Sequence, residues 1–80
     1  MTIGEACRKR IHDLCSERKI TINKLAIISG ITQSTLNNIV SGRNNSATIS
    51  TLKKICDGLE ITIFDFFNCE MFKELEQEIR

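Results

Sequence analysis

Residues 30–42, GITQSTLNNIVSG, set seven uncharged polar side chains (Thr32, Gln33, Ser34, Thr35, Asn37, Asn38 and Ser41) between two glycines. Amides and hydroxyls at this density donate and accept hydrogen bonds without offering a nucleophile beside a base, so their chemistry is recognition, not turnover. The rest of the chain agrees. His12 is the only histidine, and no glycine-rich phosphate loop or metal-ligand cluster is present in the sequence. The four cysteines, Cys7, Cys15, Cys56 and Cys69, form no C-x-x-C pair. They are expected to be reduced core residues, with a redox role through Cys69 as the remaining alternative. These features predict a protein that is not an enzyme and carries no cofactor or metal.

Positioning such a polar stretch requires neighbouring elements, and the apolar spacing predicts that all of them are helices. Ile3, Cys7, Ile11, Leu14 and Cys15 fall on one stripe of a helix over residues 3–18, beside a basic cluster of Arg8, Lys9 and Arg10. A short helix over 23–29 follows, with Thr21 as N-cap, Leu25 and Ile28 toward the core, and Gly30 ending it. The polar stretch itself is a third helix opened by Thr32, with Leu36, Ile39 and Val40 as its apolar side. Thr48 caps a fourth helix carrying Ile49, Leu52, Ile55, Cys56 and Leu59. Thr62 opens a fifth with Asp65 three residues on, and Ile63, Phe66 and Phe67 as its buried residues. In the tail, Met71, Leu75 and Ile79 recur every four residues, which predicts another helical segment.

At 80 residues the chain is expected to be one compact all-α domain. No apolar run reaches the roughly 18 residues of a membrane span. With 41% apolar and 26% charged residues, the composition points to a cytoplasmic globular protein that makes no use of a membrane. The net charge of +1 hides an asymmetry: residues 1–47 carry +4, residues 48–69 carry −1 and residues 70–80 carry −2. A basic N-terminal half suits a polyanion, and an acidic end suits other contacts.

Ala26, Gly30, Leu36 and Ile39, with Leu25 and Ile31 filling in, have the layout of a helix-turn-helix over residues 22–41. Ala26 is small where the next helix crosses, Gly30 supplies left-handed backbone for a sharp turn, and the apolar residues anchor the pair. That leaves Gln33, Ser34, Asn37 and Asn38 facing outward. Together with RKRIHDLCSERKITINKLA before it and TISTLKKICDGLEITIFDFF after it, the segment GITQSTLNNIVSGRNN resembles the lambda-repressor-like family of bacterial and phage regulators, the Cro/C1 or XRE type. The resemblance runs over residues 3–67, five elements in order, and divides the chain into a DNA-binding domain over 1–69 and a tail over 70–80.

The resemblance implies that the helix over 33–41 is a recognition helix in the DNA major groove. Thr32, Gln33, Ser34, Asn37 and Asn38 would then read bases, since Gln and Asn amides pair bidentately with adenine and hydroxyls adapt to several partners. Phosphate contacts would come from Asn23 and Lys24, from Thr35, from Ser41, Arg43, Asn44 and Asn45, and from Thr48 at a helix start. Two positions depart from the family pattern. Ile22 stands where many members have a glutamine that braces the recognition helix, and Cys15 and Val40 replace a buried arginine and its acidic partner.

The expected function is that of a sequence-specific transcriptional regulator, most simply a repressor, binding a palindromic operator as a homodimer. Phe67, Met71, Leu75 and Ile79 offer either a dimer stripe or core packing. The alternative is an antitoxin or other protein-interaction module that docks a protein partner through the acidic tail. No ligand-sensing segment follows the helix-turn-helix in this sequence, so control would come from abundance or from a partner. Steep weakening of DNA binding with salt separates the two readings.

Overall fold

The computed structural model describes residues 1–42 and 47–79, and each of its five α-helices starts on a threonine. Helix α1 spans Ile3–Arg18, α2 Ile22–Ser29, α3 Gln33–Val40, α4 Ile49–Leu59 and α5 Ile63–Phe67, followed by a 3-10 turn at Glu70–Phe72. The hydroxyls of Thr2, Thr21, Thr32, Thr48 and Thr62 each accept from the backbone N–H three residues on, at 2.9–3.2 Å. Each bond satisfies an amide that the helix itself cannot, and is worth about 1 kcal/mol. At α1 and α5 the exchange is reciprocal: Glu5 and Asp65 accept from the N–H of Thr2 and Thr62 at 3.0 and 3.2 Å. Those bonds also hold the exposed Glu5 carboxyl below the usual carboxylate range.

Three of the connections share one form. Lys19–Ile20–Thr21, Gly30–Ile31–Thr32 and Glu60–Ile61–Thr62 each run left-handed residue, isoleucine, threonine cap, with φ of 55°, 68° and 58° at the first residue. The isoleucine N–H closes the preceding helix on the carbonyl of Cys15, Ala26 or Cys56, at 3.0, 3.2 and 2.9 Å. Its side chain packs against the core in all three cases. This is the Schellman closure with its apolar contact, run directly into the next cap. Helix α3 leaves by another route, through Ser41 in the right-handed region and Gly42 at φ 84°.

The core joins Cys7, Ile11, Leu14 and Cys15 of α1 to Leu25 and Ala26 of α2, Leu36 and Ile39 of α3, Leu52, Ile55, Cys56 and Leu59 of α4, and Phe66 of α5. Phe66, Ile11, Leu25, Leu36, Ile55 and Cys56 are fully buried. Three cysteines are therefore packing residues, as expected. Arg10 is half-buried and donates to the carbonyls of Phe66 at 2.7 Å and Asp65 at 2.9 Å. It ties α1 to the C-terminal end of α5, where a cation meets the last carbonyls and the negative end of the helix dipole.

The structure corrects three expectations. The tail makes only one 3-10 turn and then runs without helix through residue 79. Glu70, Glu74 and Glu78 would repel one another at i,i+4 on a helix, and Cys69, extended at φ −154°, interrupts the chain just before. Phe72 instead closes an aromatic cluster, 4.9 Å from Phe67 and 6.2 Å from Phe66, and Glu76 N–H donates to the Met1 carbonyl at 3.1 Å. Phe67, Met71, Leu75 and Ile79 thus form no helical stripe, and Ile79 is exposed. Second, Ile28 lies at the surface while Ser29 takes the buried place on α2. Third, Ile49 is exposed at the start of α4. Among the described residues no helix is long and apolar enough to cross a membrane.

The reason for the second difference is Gly58. A Cβ there would lie 2.6 Å from Ser29 Oγ and 2.9 Å from the Ile28 carbonyl oxygen, so α4 passes too close to α2 for a larger residue on either side. Gly58→Ala must push a backbone carbonyl aside and should cost about 1–3 kcal/mol in urea unfolding. Ser29→Ala removes a buried hydroxyl without a hydrogen-bond partner, and should leave stability unchanged or raise it by about 1 kcal/mol. A loss for Ser29→Ala comparable to that for Gly58→Ala would contradict this account of the crossing.

Candidate nucleic-acid interface

Helix α3 divides into two faces. Leu36 is fully buried and Ile39 is 6% exposed, with Ile31 and Val40 packed against the core beside them. Burying two such side chains contributes about 1.5–3 kcal/mol each, which seats an eight-residue helix too short to form alone. On the other face Gln33, Ser34, Thr35, Asn37 and Asn38 are exposed. Among the described residues, the side chains of Gln33, Ser34, Asn37 and Asn38 take no part in a hydrogen bond within the protein. Three amides and one hydroxyl on a rigid backing are therefore presented to solvent.

The hydroxyls behave differently from the amides. Thr32 Oγ1 accepts from Thr35 N at 3.2 Å and donates to Thr35 Oγ1 at 2.8 Å, so both threonines are engaged in starting the helix. Thr48 and Thr51 repeat this arrangement on α4, with hydroxyls 2.9 Å apart and a cap bond of 3.1 Å. Ser41 Oγ lies 3.4 Å from the Asn38 carbonyl, at the long end of a hydrogen bond. Asn23 and Lys24 are exposed in the first turn of α2, and Thr48 is exposed ahead of α4. Arg43, Asn44 and Asn45 lie outside the described residues. The structure thus brings Thr32 to Thr35 and Ser41 to Asn38, and places Gln33, Ser34, Asn37 and Asn38 on one accessible helix face.

Cys15 and Val40 both belong to or pack against the core, and Ile22 packs against it as well. The ion pair and bracing amide that the resemblance implied are thus replaced by apolar contact at all three positions. The basic cluster on α1 proves to be three separate roles. Arg10 holds α5, Lys9 lies 3.6 Å from Asp13, and the Arg8 guanidinium lies against Gly42 at the exit of α3. Nothing in the spacing of the three residues distinguished these roles, because each depends on which element packs against that part of α1.

Among the described residues no group of three or more His, Cys, Asp or Glu side chains is placed to hold a metal ion. Burial pushes the thiols of Cys7 and Cys15 up, and burial together with the neighbouring Asp57 carboxylate does the same at Cys56. These groups stay protonated and enclosed at neutral pH.

The Cro/C1-type HTH DNA-binding domain family matches this sequence over residues 10–71. The chain is 32% identical over 53 residues to RghRB of Bacillus subtilis strain 168, described as an uncharacterized HTH-type transcriptional regulator, covering 66% of this chain and 38% of that protein. It is also 32% identical over 57 residues to RghR of the same strain, an HTH-type transcriptional repressor, covering 71% of this chain and 42% of the other. The matched part is about two-fifths of the length of these curated relatives. In three dimensions the chain is similar to the crystal structure of prophage Lp1 protein 11, with a TM-score of 0.81, 35% identity, and coverage of 94% of this chain and 99% of that one.

Two measurements check the division of α3 into supporting and presenting residues. Thr32→Ala should lower unfolding free energy by about 1 kcal/mol through loss of the cap, whereas Gln33→Ala and Asn38→Ala should stay within about 0.5 kcal/mol of the parent. Thiol titration with Ellman's reagent should find Cys69, the half-buried cysteine, reacting in the native state and the other three only on unfolding. Rapid native reaction at Cys56 would show that the core opens more readily than its packing indicates.

Proposed function

The chain belongs to the Cro/C1-type helix-turn-helix DNA-binding domain family, and from that premise we propose that it regulates transcription by reading a specific duplex site with α3. The observation that carries the reading is the accessible amide face of α3 on a helix clamped from behind by Leu36 and Ile39. Gln33, Ser34, Asn37 and Asn38 meet base edges, with the Gln and Asn amides suited to adenine N6 and N7. Thr32 and Thr35 act first as the helix start and contribute at most a shared hydroxyl to the DNA. Lys24 and Asn23, Ser41, Arg43, Asn44 and Asn45, and Thr48 with the amides it heads meet phosphates, which sets register and affinity without selecting sequence.

Repression follows from occupying a promoter-proximal site, and the similarity to RghR, itself named a repressor, supports that sense. The chain acts in the cytoplasm as a homodimer on a palindrome with half-sites about 34 Å apart. A protein partner engaged through residues 70–80 is the second reading. It draws support from the net charge of −2 on that segment, which suits contacts other than DNA.

Selection from a random duplex pool should return a palindromic site. On that site Gln33→Ala and Asn38→Ala should each cost about 1–3 kcal/mol and relax choice at one base pair. Arg43→Ala should weaken binding to all duplexes alike. Equal loss on every duplex for Gln33→Ala would remove its base-reading role. Failure to enrich any sequence, with binding insensitive to salt, would favour the protein-interaction reading.

A further inference from the structure

We infer that α1 contributes a phosphate contact of its own, Arg8, placed by Gly42 at the exit of the recognition helix; the inference rests on the DNA-binding reading above. Gly42 has φ 84°, and a Cβ added there would lie 2.9 Å from Arg8 Nη1, 3.5 Å from Cζ and 4.0 Å from Nη2. The planar guanidinium therefore lies against the bare backbone at the point where the chain leaves α3. Glycine is favoured there by the backbone conformation, and its missing side chain leaves room for the end of the arginine.

The charge of Arg8 is not consumed within the described residues. Lys9 takes Asp13, Arg10 takes the α5 carbonyls, and the Glu5 carboxylate accepts from the Thr2 N–H at 3.0 Å. Arg8 contributes least among the groups that lower the Glu5 pKa, behind the two hydrogen bonds with Thr2. Its own side chain makes no hydrogen bond or ion pair with the described residues. A half-buried arginine at the exit of α3, with its donors not taken up by the described residues, can offer them to an outside acceptor. The surface around it is shared by Met1, Glu5, Lys9, His12, Asp13 and Val40. It thus joins α1 directly to the exit of α3 at Val40 and Gly42. Phosphate, with oxygens that match the guanidinium fork, is the ligand this geometry suits.

The test is the salt dependence of binding by the full chain to its selected duplex and to an unrelated duplex. One phosphate contact adds about 0.9 to the slope of log Kobs against log salt. Arg8→Gln should therefore lower the slope by about 1 on both duplexes and weaken both about eightfold at 0.1 M relative to the 1 M reference. Arg8→Met, which keeps the aliphatic stem, gives the same readout should the glutamine variant fail to fold. Lys9→Gln serves as the charge control and should leave the slope within half of that change. An unchanged slope for Arg8→Gln or Arg8→Met, an equal fall for Lys9→Gln, or a loss confined to the selected duplex would overturn the inference. A wild-type slope near zero would instead remove the DNA-binding reading itself.

Discussion

Helix α3 can present a polar face only because the three residues before it leave no freedom in its direction. Gly30 ends α2 in the left-handed region, Ile31 closes that helix on the Ala26 carbonyl, and Thr32 begins α3. One residue therefore completes one helix and packs against the core while its neighbours set the entry and exit of the turn. A connection this short has no conformational slack, so the orientation of α3 follows from the placement of α2, and α2 is fixed by its close crossing with α4 at Gly58. The same device recurs at residues 19–21 and 60–62. The domain is built by repeating one rigid joint, and the loop after α3 is the connection between α-helices that departs from it.

The two joints that use Lys19 and Glu60 show what the third gains from glycine. Non-glycine residues pay about 1–2 kcal/mol for left-handed backbone, and the Schellman closure with its buried isoleucine offsets this. At Gly30 nothing lies within 4 Å of a would-be Cβ, so the glycine there serves the backbone alone. At Gly58 the opposite holds: the backbone is helical and the glycine serves the crossing.

Much of this was legible in the sequence. Threonines ahead of apolar stripes marked four of the five helix starts, at Thr21, Thr32, Thr48 and Thr62, because a cap is a local interaction between residues three apart; the cap at Thr2 emerged only from the structure. The two faces of α3 were legible for the same reason, as Leu36 and Ile39 declare one side and the amides the other. What escaped were pairings between distant segments. Ile28 reads as a core residue by periodicity, yet α4 comes down over Ser29. Arg10 reads as surface charge, yet α5 ends beside it. The tail has helical spacing, yet its glutamates sit four apart and Phe72 finds a better place on the aromatic cluster. Each error has one source: spacing says which residues share a face, not what arrives to cover it.

Apolar contact at Cys15, Val40 and Ile22, where the resemblance implied an ion pair and a bracing amide, changes what the support of α3 responds to. Cys15, Val40 and Ile22 hold the helix-turn-helix through burial, an interaction that ordinary salt does not screen, whereas a partly exposed ion pair weakens as ionic strength rises. A buried ion pair also carries a desolvation penalty that an apolar pair avoids. The scaffold behind α3 is thus insensitive to the variable that governs phosphate binding. The outer face costs stability in its own right, since Ser, Thr and Asn are poorer helix formers than Ala by up to about 0.7 kcal/mol each. Because Thr32, Leu36 and Ile39 already seat the helix, that cost can be carried by a face whose side chains make no contribution to the fold. Substitutions at Gln33, Ser34, Asn37 and Asn38 are therefore free to change the exposed face without altering the structure that presents it.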